Sequence, residues 1–134
     1  MPIRYQLGTR RYGSGAGQLT TTVVYGRQWS LSYQGRTWRP PTDVYETADA
    51  VIVKMEVAGM SEDDFDITLA EGTLLVQGVR RDTAEKTVCH QLEIAYGEFS
   101  VEVLLSMPLL VDRIAASYQN GFLLITLPKD NRRY

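Results

Sequence analysis

The chain has 134 residues, with 14 Lys and Arg against 16 Asp and Glu and a net charge of −2, which suits a single small domain. No run reaches the roughly 18 consecutive apolar residues that a membrane-spanning helix needs. A lone cysteine, Cys89, excludes an intramolecular disulfide framework, and a lone histidine, His90, argues against a zinc site. No apolar leader begins the sequence, so we expect a cytoplasmic protein without metal or cofactor.

The charges are unevenly distributed along the chain. Residues 1–38 carry five arginines and no acidic residue, a balance of +5, whereas the rest holds nine Lys and Arg against 16 Asp and Glu, a balance of −7. The first segment is rich in Gly, Ser, Thr, Tyr and Trp and has no sustained period, so residues 1–37 are predicted to form a flexible basic and aromatic arm. The run "WRPP" (38–41) marks its end, because paired prolines enforce an extended entry.

Strand patterns begin directly after this boundary. In "AVIVKMEV" (50–57) apolar and polar residues alternate, which is typical of a half-buried strand, and "FDITL" (65–69) repeats the pattern. "TLLVQGV" (73–79) follows Glu71-Gly72, a spacing typical of a hairpin.

The next stretch, residues 80–90, is charged and has no apolar period, so it predicts a long connecting segment rather than a tight turn. We call this segment the excursion. After it, "QLEIAYGEFSVEVLL" (91–105) alternates twice, first at Leu92, Ile94 and Tyr96 and then, after Gly97, from residue 99 onward. Two strands are therefore predicted there.

The last two predicted strands flank a tight turn. "IAASY" (114–118) alternates, Asn120-Gly121 suits a two-residue turn with left-handed residues, and residues 122–127 are apolar on both faces. Many short strands without a convincing helix indicate an all-β fold, a β-sandwich.

Several motifs resemble the alpha-crystallin domain of the small heat-shock proteins, in order from Trp38 to Lys129. The most specific is Ala116-x-x-x-Asn120-Gly121-x-Leu123, which is similar to the family's A-x-x-x-N-G-x-L signature. The resemblance implies an immunoglobulin-like antiparallel β-sandwich over 38–129, assembly into dimers or larger oligomers, and ATP-independent holding of unfolding proteins. The tail, 130–134, lacks the family's isoleucine-x-isoleucine docking motif.

The resemblance also implies two sets of site residues. In the bacterial and archaeal branch, the strand within the excursion adds to the neighbouring subunit's sheet, which places a dimer interface at Asp43, Val44, Tyr45, Val88, Leu92 and Ile94. The strands that edge the family's docking groove correspond here to 65–69 and 114–118, and the groove residues would be Ile67, Leu69, Ile114 and Ala116. The alternative for these four is that they simply fill the core. The apolar run at 99–105 stands where the family usually has an Arg-rich strand, so either burial replaces ion pairs in the dimer or the dimer itself is altered.

No motif supports an enzyme. "GSGAG" (13–17) lacks the strand, helix and third glycine of a nucleotide site. Cys89 and His90 are adjacent on a predicted strand and would point to opposite faces, so they do not form a nucleophile and base. "SEDD" (61–64) has no calcium-loop spacing and is predicted to cap a turn.

Three functions remain open. The favoured one is a holdase that binds unfolding clients and itself, with Tyr25, Trp29 and Tyr33 of the arm contacting clients. An adaptor or co-chaperone resembling the CS domain would share the sandwich and bind a folded partner as a monomer. Nucleic-acid binding through the arm is less favoured, because five charges over 38 residues are a thin footprint and the acidic body opposes a polyanion.

Overall fold

The structure is a computed structural model that describes residues 37–132 and the strand Tyr5–Leu7. Within these residues it contains eight strands, two 3₁₀-helices at Glu62–Asp64 and Val111–Arg113, and no α-helix. In chain order the strands are β1 (Tyr5–Leu7), β2 (Thr42–Glu46), β3 (Ala50–Glu56), β4 (Phe65–Ala70), β5 (Thr73–Arg80), β6 (Gly97–Leu104), β7 (Ala115–Gln119) and β8 (Phe122–Pro128).

The strands form two four-stranded sheets, with the orders β1-β4-β5-β6 and β2-β3-β8-β7. Every pairing is antiparallel except that of β1 with β4, which is parallel. The prediction of an all-β, antiparallel sandwich is confirmed. The strand β1 is an addition that the sequence pattern did not predict, because three residues are too few to show a period.

Two hairpins turn through the residue pairs that the sequence singled out. Glu71 and Gly72 have φ values of 49° and 77°, and Asn120 and Gly121 have φ values of 53° and 82°. Two consecutive left-handed residues give a turn whose twist matches that of the flanking strands, and Asn or Gly reaches this region at low cost. Both predicted hairpins, β4–β5 and β7–β8, are confirmed.

The core lies between the sheets and is built by alternation along each strand. The most buried side chains come from both layers: Val51, Val53, Met55, Leu74, Val76, Phe99, Val101, Leu123, Ile125 and Leu127. On β8 the second apolar set faces away from the core. Phe122 is there, and the ammonium of Lys54 on β3 lies 4.7 Å from its ring centroid. Strand β8, which is apolar on both faces, is therefore covered by the other sheet on one face only.

An aromatic row crosses the core from one side of the sandwich to the other. Phe99 contacts Trp38 and Phe65 edge-on, with centroids 5.5 and 6.2 Å apart, and Phe65 contacts Tyr118 at 5.1 Å. Gly78 on β5 leaves space for the ring of Phe99, since an added Cβ at residue 78 would lie 2.3 Å from Cζ of Phe99. The Phe65–Tyr118 contact joins the edges of the two sheets, and we call this side the β4–β7 rim.

The opposite side is closed by the segment that enters the domain. The amide of Trp38 donates to the carbonyl of Glu98 (3.1 Å), and its indole Nε1 donates to Gly97 (3.1 Å). Four residues later the chain begins β2 in the other sheet. The backbone thus passes between the layers at the side formed by β6 and β2, which we call the β6–β2 rim.

In the structure the excursion is the whole connection between β5 and β6, residues 81–96, and it contains neither helix nor strand. The prediction of a strand through Leu92, Ile94 and Tyr96 is wrong for the single chain, in which β6 begins only at Gly97. A strand needs a hydrogen-bonded neighbour, and β5 pairs with β6 only as far as Arg80 opposite Gly97. Beyond that pair the two segments diverge.

Candidate docking and assembly surfaces

One open edge of the sandwich is strand β2. It is the terminal strand of its sheet among the described residues, and Asp43, Val44 and Tyr45 are all exposed. A terminal strand presents unpaired backbone groups that can accept another strand. The apolar side chains Val44 and Tyr45 on this edge add area that an added strand could bury.

The excursion supplies the most exposed apolar side chains outside the sheets. Val88, Leu92 and Ile94 are 72, 67 and 66% exposed, and residues 81–94 are exposed throughout. Isolated apolar residues on a surface are ordinary, but three strongly exposed ones within seven residues favour association. The residues predicted for the interface therefore lie on two exposed elements, β2 and the excursion.

Arg80 fixes the far end of the excursion to the body of the domain. Its Nε and Nη2 both donate to the carbonyl of Ala95 (3.0 and 2.7 Å), and its Nη1 donates to the carbonyl of Ala58 (3.2 Å). The guanidinium also lies over the rings of Trp38 and Tyr96, at 4.3 and 5.6 Å from their centroids. A planar, permanently charged group with five donors can bind two carbonyls and two rings at once. We call this arrangement the Arg80 clamp.

The four residues predicted for the docking groove lie along the β4–β7 rim. Ile67, Leu69 and Ile114 are only 2, 8 and 6% exposed and belong to the core, and Ala116 is partly buried against it. Ile67 and Leu69 are on β4, the strand whose outer edge carries β1. In this conformation the apolar side chains of the rim are covered.

Tyr118 holds the rim to the β3–β4 connection. Its hydroxyl donates to the carbonyl of Val57 (2.8 Å) and accepts from the amide of Met60 (3.3 Å), while its ring packs on Phe65. The amide of Val57 donates in turn to Gly121 in the β7–β8 turn (2.8 Å). These bonds set the position of β7 relative to β4.

The apolar run on β6 fills the core rather than a surface. Val101, Val103 and Leu105 are buried, and among the outward residues from 100 to 104 only Leu104 is apolar, at 82% exposed. The absence of arginines from this strand therefore leaves one exposed apolar residue rather than an apolar face.

The residues after β8 are tied back to the domain. The ammonium of Lys129 donates to the carbonyl of Thr47 (2.9 Å) and pairs with Glu46 (2.7 Å), so the end of β8 is bound to the turn after β2. The hydrogen bond and charge of Asp130 raise the pKa of the neighbouring Arg132 guanidinium.

Two general findings bear on the chemistry of these surfaces. Among the described residues, no group of three or more His, Cys, Asp or Glu is arranged to hold a metal ion. None of the helices described is long and apolar enough to cross a membrane. The "SEDD" stretch, predicted to cap a turn, forms the short 3₁₀-helix, and the amide of Ser61 donates to the Asp64 carboxylate (2.9 Å).

The sandwich agrees with comparisons to known proteins. A model of the Hsp20/alpha crystallin family matches residues 43–134, more than half of the chain. The chain belongs to the Hsp20/alpha crystallin family.

Individual members of the family are similar over the same region. Heat shock protein 16 of Schizosaccharomyces pombe is 34% identical over 94 residues, covering 67% of this chain and 66% of that protein. Small heat shock protein C2 of Rickettsia felis is 32% identical over 92 residues, covering 67% and 60%. The chain thus spans less than two thirds of the length of either relative.

Solved structures of small heat-shock proteins share the fold. HSP18.5 from E. histolytica has a TM-score of 0.64 at 27% identity and covers 73% of this chain and 95% of its own. Heat shock protein 16.0 from Schizosaccharomyces pombe has the same TM-score and identity and covers 72% and 96%. The resemblance that the sequence motifs indicated is confirmed.

Sequence reasoning missed two features of this family member. The Arg80 clamp was missed because its partners are backbone carbonyls and rings that are not neighbours of Arg80 in the sequence, and Arg80 is the first of two consecutive arginines. The β1–β4 pairing was missed because nothing in three residues sets a register. The predicted client contacts Tyr25, Trp29 and Tyr33 lie outside the described residues.

Proposed function

We propose that this protein is a non-enzymatic, ATP-independent holdase that binds partly unfolded proteins and prevents their aggregation. The observation that carries the proposal is a sandwich of the Hsp20/alpha crystallin family that leaves large apolar side chains exposed outside the excursion, among them Leu104 at 82% and Val111 at 44%. Unfolding clients expose apolar side chains, and burying them releases roughly 25 cal/mol for each Å² of nonpolar area. No turnover of nucleotide is needed for that step.

The working unit would be a dimer formed by strand exchange. Residues 88–94 of one subunit would pair with the open edge of β2 in its partner. When extended at about 3.3 Å per residue, these seven residues span roughly 23 Å, enough to cover the five residues of β2, about 17 Å long. Pairing would bury Leu92, Ile94 and Val44 and satisfy the backbone of both elements.

Client binding by such an assembly does not require a strong single site. Each subunit would contribute several weak apolar contacts, and a client held at two or more of them gains from the high local concentration of the others. Weak individual sites also allow release once the client refolds, without an energy source.

The direct test is an aggregation assay without nucleotide. An aggregation-prone enzyme is heated alone and with increasing amounts of the purified protein, and light scattering is followed. We expect scattering to fall as the ratio of chaperone to client rises, with bovine serum albumin at equal mass as the control. Unchanged scattering at a several-fold molar excess would remove the holdase assignment.

The adaptor alternative, a CS-like domain that binds a folded partner, predicts a monomer. The exposed excursion argues against it, because a monomeric adaptor has no need of three exposed apolar residues on a 16-residue segment, 81–96. Light-scattering mass measurement coupled to gel filtration separates the two. A dimer or larger oligomer fits the holdase, and a monomer at all concentrations fits the adaptor.

A further inference from the structure

The outer face of the β4-β5-β6 sheet is buried over β4 and the start of β5. This face is formed by the even-numbered residues of β4 and β6 and the odd-numbered residues of β5, which alternate with the core residues. On it Thr68, Ala70 and Thr73 are only 4, 4 and 5% exposed. The second sheet packs against the opposite face, so it does not account for this burial.

The outer face of the second sheet is different. Its central strands are β3 and β8, and their outward residues 52, 54, 56, 122, 124 and 126 all keep some exposure. An antiparallel sheet with one face on the core commonly leaves its other face in water. Strand β1 lies beside β4 in the plane of the sheet and not across its face. The burial of small outward side chains on β4 and β5 therefore indicates an occupant.

Residues 8–36 begin and end at opposite edges of this same sheet. Strand β1 ends beside β4, and Trp38 lies beside β6, where it donates to the carbonyl of Glu98 and accepts from the amide of Ser100 (3.1 and 3.4 Å). Four strand spacings of about 4.8 Å, roughly 19 Å in all, separate the two edges. At up to about 3.3 Å per residue, the segment could span roughly 95 Å. It is long enough to cross the face more than once.

Charge makes this segment the occupant that fits. Residues 8–36 contain four arginines, four aromatic residues and no acidic residue. On the outer face of the β4-β5-β6 sheet every charged side chain is a carboxylate, namely Asp66, Glu98 and Glu102. Half-buried Leu75 lies on the strand between them and offers apolar area. A basic, aromatic segment is attracted to such a face and can bury part of it.

We propose that the outer face of the β4-β5-β6 sheet is a binding surface for residues 8–36 of the same chain, with arginines on its carboxylates and aromatic side chains over β4 and β5. Because both ends of the segment are hydrogen-bonded to edges of this sheet, its local concentration at the face exceeds that of a neighbour's segment. Leu104, 82% exposed near the end of β6, marks the limit of the covered area. The proposal goes beyond the holdase function and does not depend on it.

Cross-linking in the full-length protein tests where the segment lies. With Cys89→Ser as background, Ser30→Cys in the segment is combined with Ser100→Cys on the outer face. The matched control combines Ser30→Cys with Ser117→Cys, which faces outward on the other sheet. A flexible bismaleimide is added to a mixture of unlabelled and ¹⁵N-labelled chains, so that the mass of each product shows whether the link joins one chain or two.

We expect the pair with Ser100→Cys to link about tenfold faster than the pair with Ser117→Cys, and within one chain. Equal rates for the two pairs would overturn the proposal. Links formed mainly between labelled and unlabelled chains would also overturn it, because the face would then hold a neighbour's segment.

Proteolysis of the folded protein tests the charges. Trypsin cleaves after arginine, so the rate of cleavage after Arg27 reports whether the segment is held. Glu98→Lys with Glu102→Lys turns two carboxylates of the face into cations. The control, Asp49→Lys with Glu56→Lys, makes the same change of charge at exposed positions of β3 and the turn before it. Circular dichroism checks that each variant is folded.

Cleavage after Arg27 should be about tenfold faster in the Glu98→Lys, Glu102→Lys variant than in the wild type. The control should match the wild type, and wild-type cleavage should itself become faster in about 0.5 M salt, which screens exposed charges. The same rate in both variants and at both salt concentrations would contradict a segment held by these carboxylates.

Neither readout involves a client, so the two proposals can fail separately. If cross-linking and proteolysis place the segment on the face while no client is protected, the holdase proposal fails and the binding surface stands. If clients are protected while the segment neither links to Ser100→Cys nor resists trypsin, the binding surface fails and the holdase stands.

Discussion

The guanidinium carbon of Arg80 lies 4.3 Å from the ring centroid of Trp38, so the residue that ends β5 is stacked on the residue that opens the domain. Because the same group binds the carbonyls of Ala95 and Ala58, three separate segments meet at one side chain. The excursion is therefore anchored to the body of the domain at Ala95, just before β6 begins.

Arg80→Ala should remove the anchor that holds the excursion to the domain. Three hydrogen bonds to carbonyls and a stacked cation are lost, and we expect the free energy of unfolding to fall by roughly 2 kcal/mol in urea denaturation. Arg80→Lys keeps the charge but not the planar fork, so it should recover less than half of the loss. Arg81→Ala, an exposed neighbour, is the control and should change stability by less than about 0.5 kcal/mol. Equal effects at 80 and 81 would contradict the clamp.

Gly78→Ala should destabilise the core through Phe99. The added Cβ would lie 2.3 Å from Phe99 Cζ and 2.9 Å from the carbonyl oxygen of Asp64, so side chain and backbone must both shift. Overpacking of this kind costs about 1 to 3 kcal/mol. Phe99→Leu in the same chain should relieve part of the clash, so the two changes should be less than additive in a double-mutant cycle. Gln77→Ala on the same strand is the control, and additivity would show that the contact does not limit packing.

Tyr118→Phe isolates one hydroxyl at the β4–β7 rim. The ring stays on Phe65, but the carbonyl of Val57 and the amide of Met60 lose their partner. We expect a loss of about 1 kcal/mol in thermal or urea unfolding and faster hydrogen exchange at the Met60 amide. Should Met60 exchange stay unchanged, the hydroxyl does not hold the β3–β4 connection.

Leu92→Asp with Ile94→Asp should separate the proposed dimer without harming the fold. Both side chains are exposed in the single chain, so unfolding free energy should move by less than about 0.5 kcal/mol, whereas charges facing the partner's β2 would oppose strand exchange. Light-scattering mass should fall from that of a dimer to that of a monomer. Thr83→Asp with Thr87→Asp adds the same charge elsewhere on the excursion and should leave the mass unchanged. A dimer that persists in both variants would place the interface on another surface.

The sequence predicted the parts of this fold that local chemistry determines. Alternation located the sandwich strands, and the pairs Glu71-Gly72 and Asn120-Gly121 located two hairpins. Both signals depend only on residues that are neighbours in the sequence. It failed where the partner is distant along the chain. Residues 92–96 alternate like a strand but have no neighbour within their own sheet, and β1 is defined by its register on β4 alone.

The site was predicted to a similar depth. Motif resemblance implied a dimer interface at Asp43, Val44 and Tyr45 and a docking groove at Ile67 and Leu69, and both assignments stay predictions. Alternation could not say whether Ile67 and Leu69 line a groove or fill the core, and the structure shows them buried in the core between the sheets. Leu104 shows the opposite case. It lies in an apolar run, and the sequence did not show that it faces solvent while its neighbours Val103 and Leu105 face the core.

The two rims close in different ways. At the β6–β2 rim the main chain crosses from one layer to the other through Trp38 and the prolines after it. At the β4–β7 rim the strand outside β4 is only three residues long. Within residues 37–132 the main chain also crosses between the sheets from β3 to β4 and from β6 to β7. The β3–β4 crossing lies beside Tyr118, whose hydroxyl binds Val57 and Met60, so parting the sheets at the β4–β7 rim requires breaking these bonds.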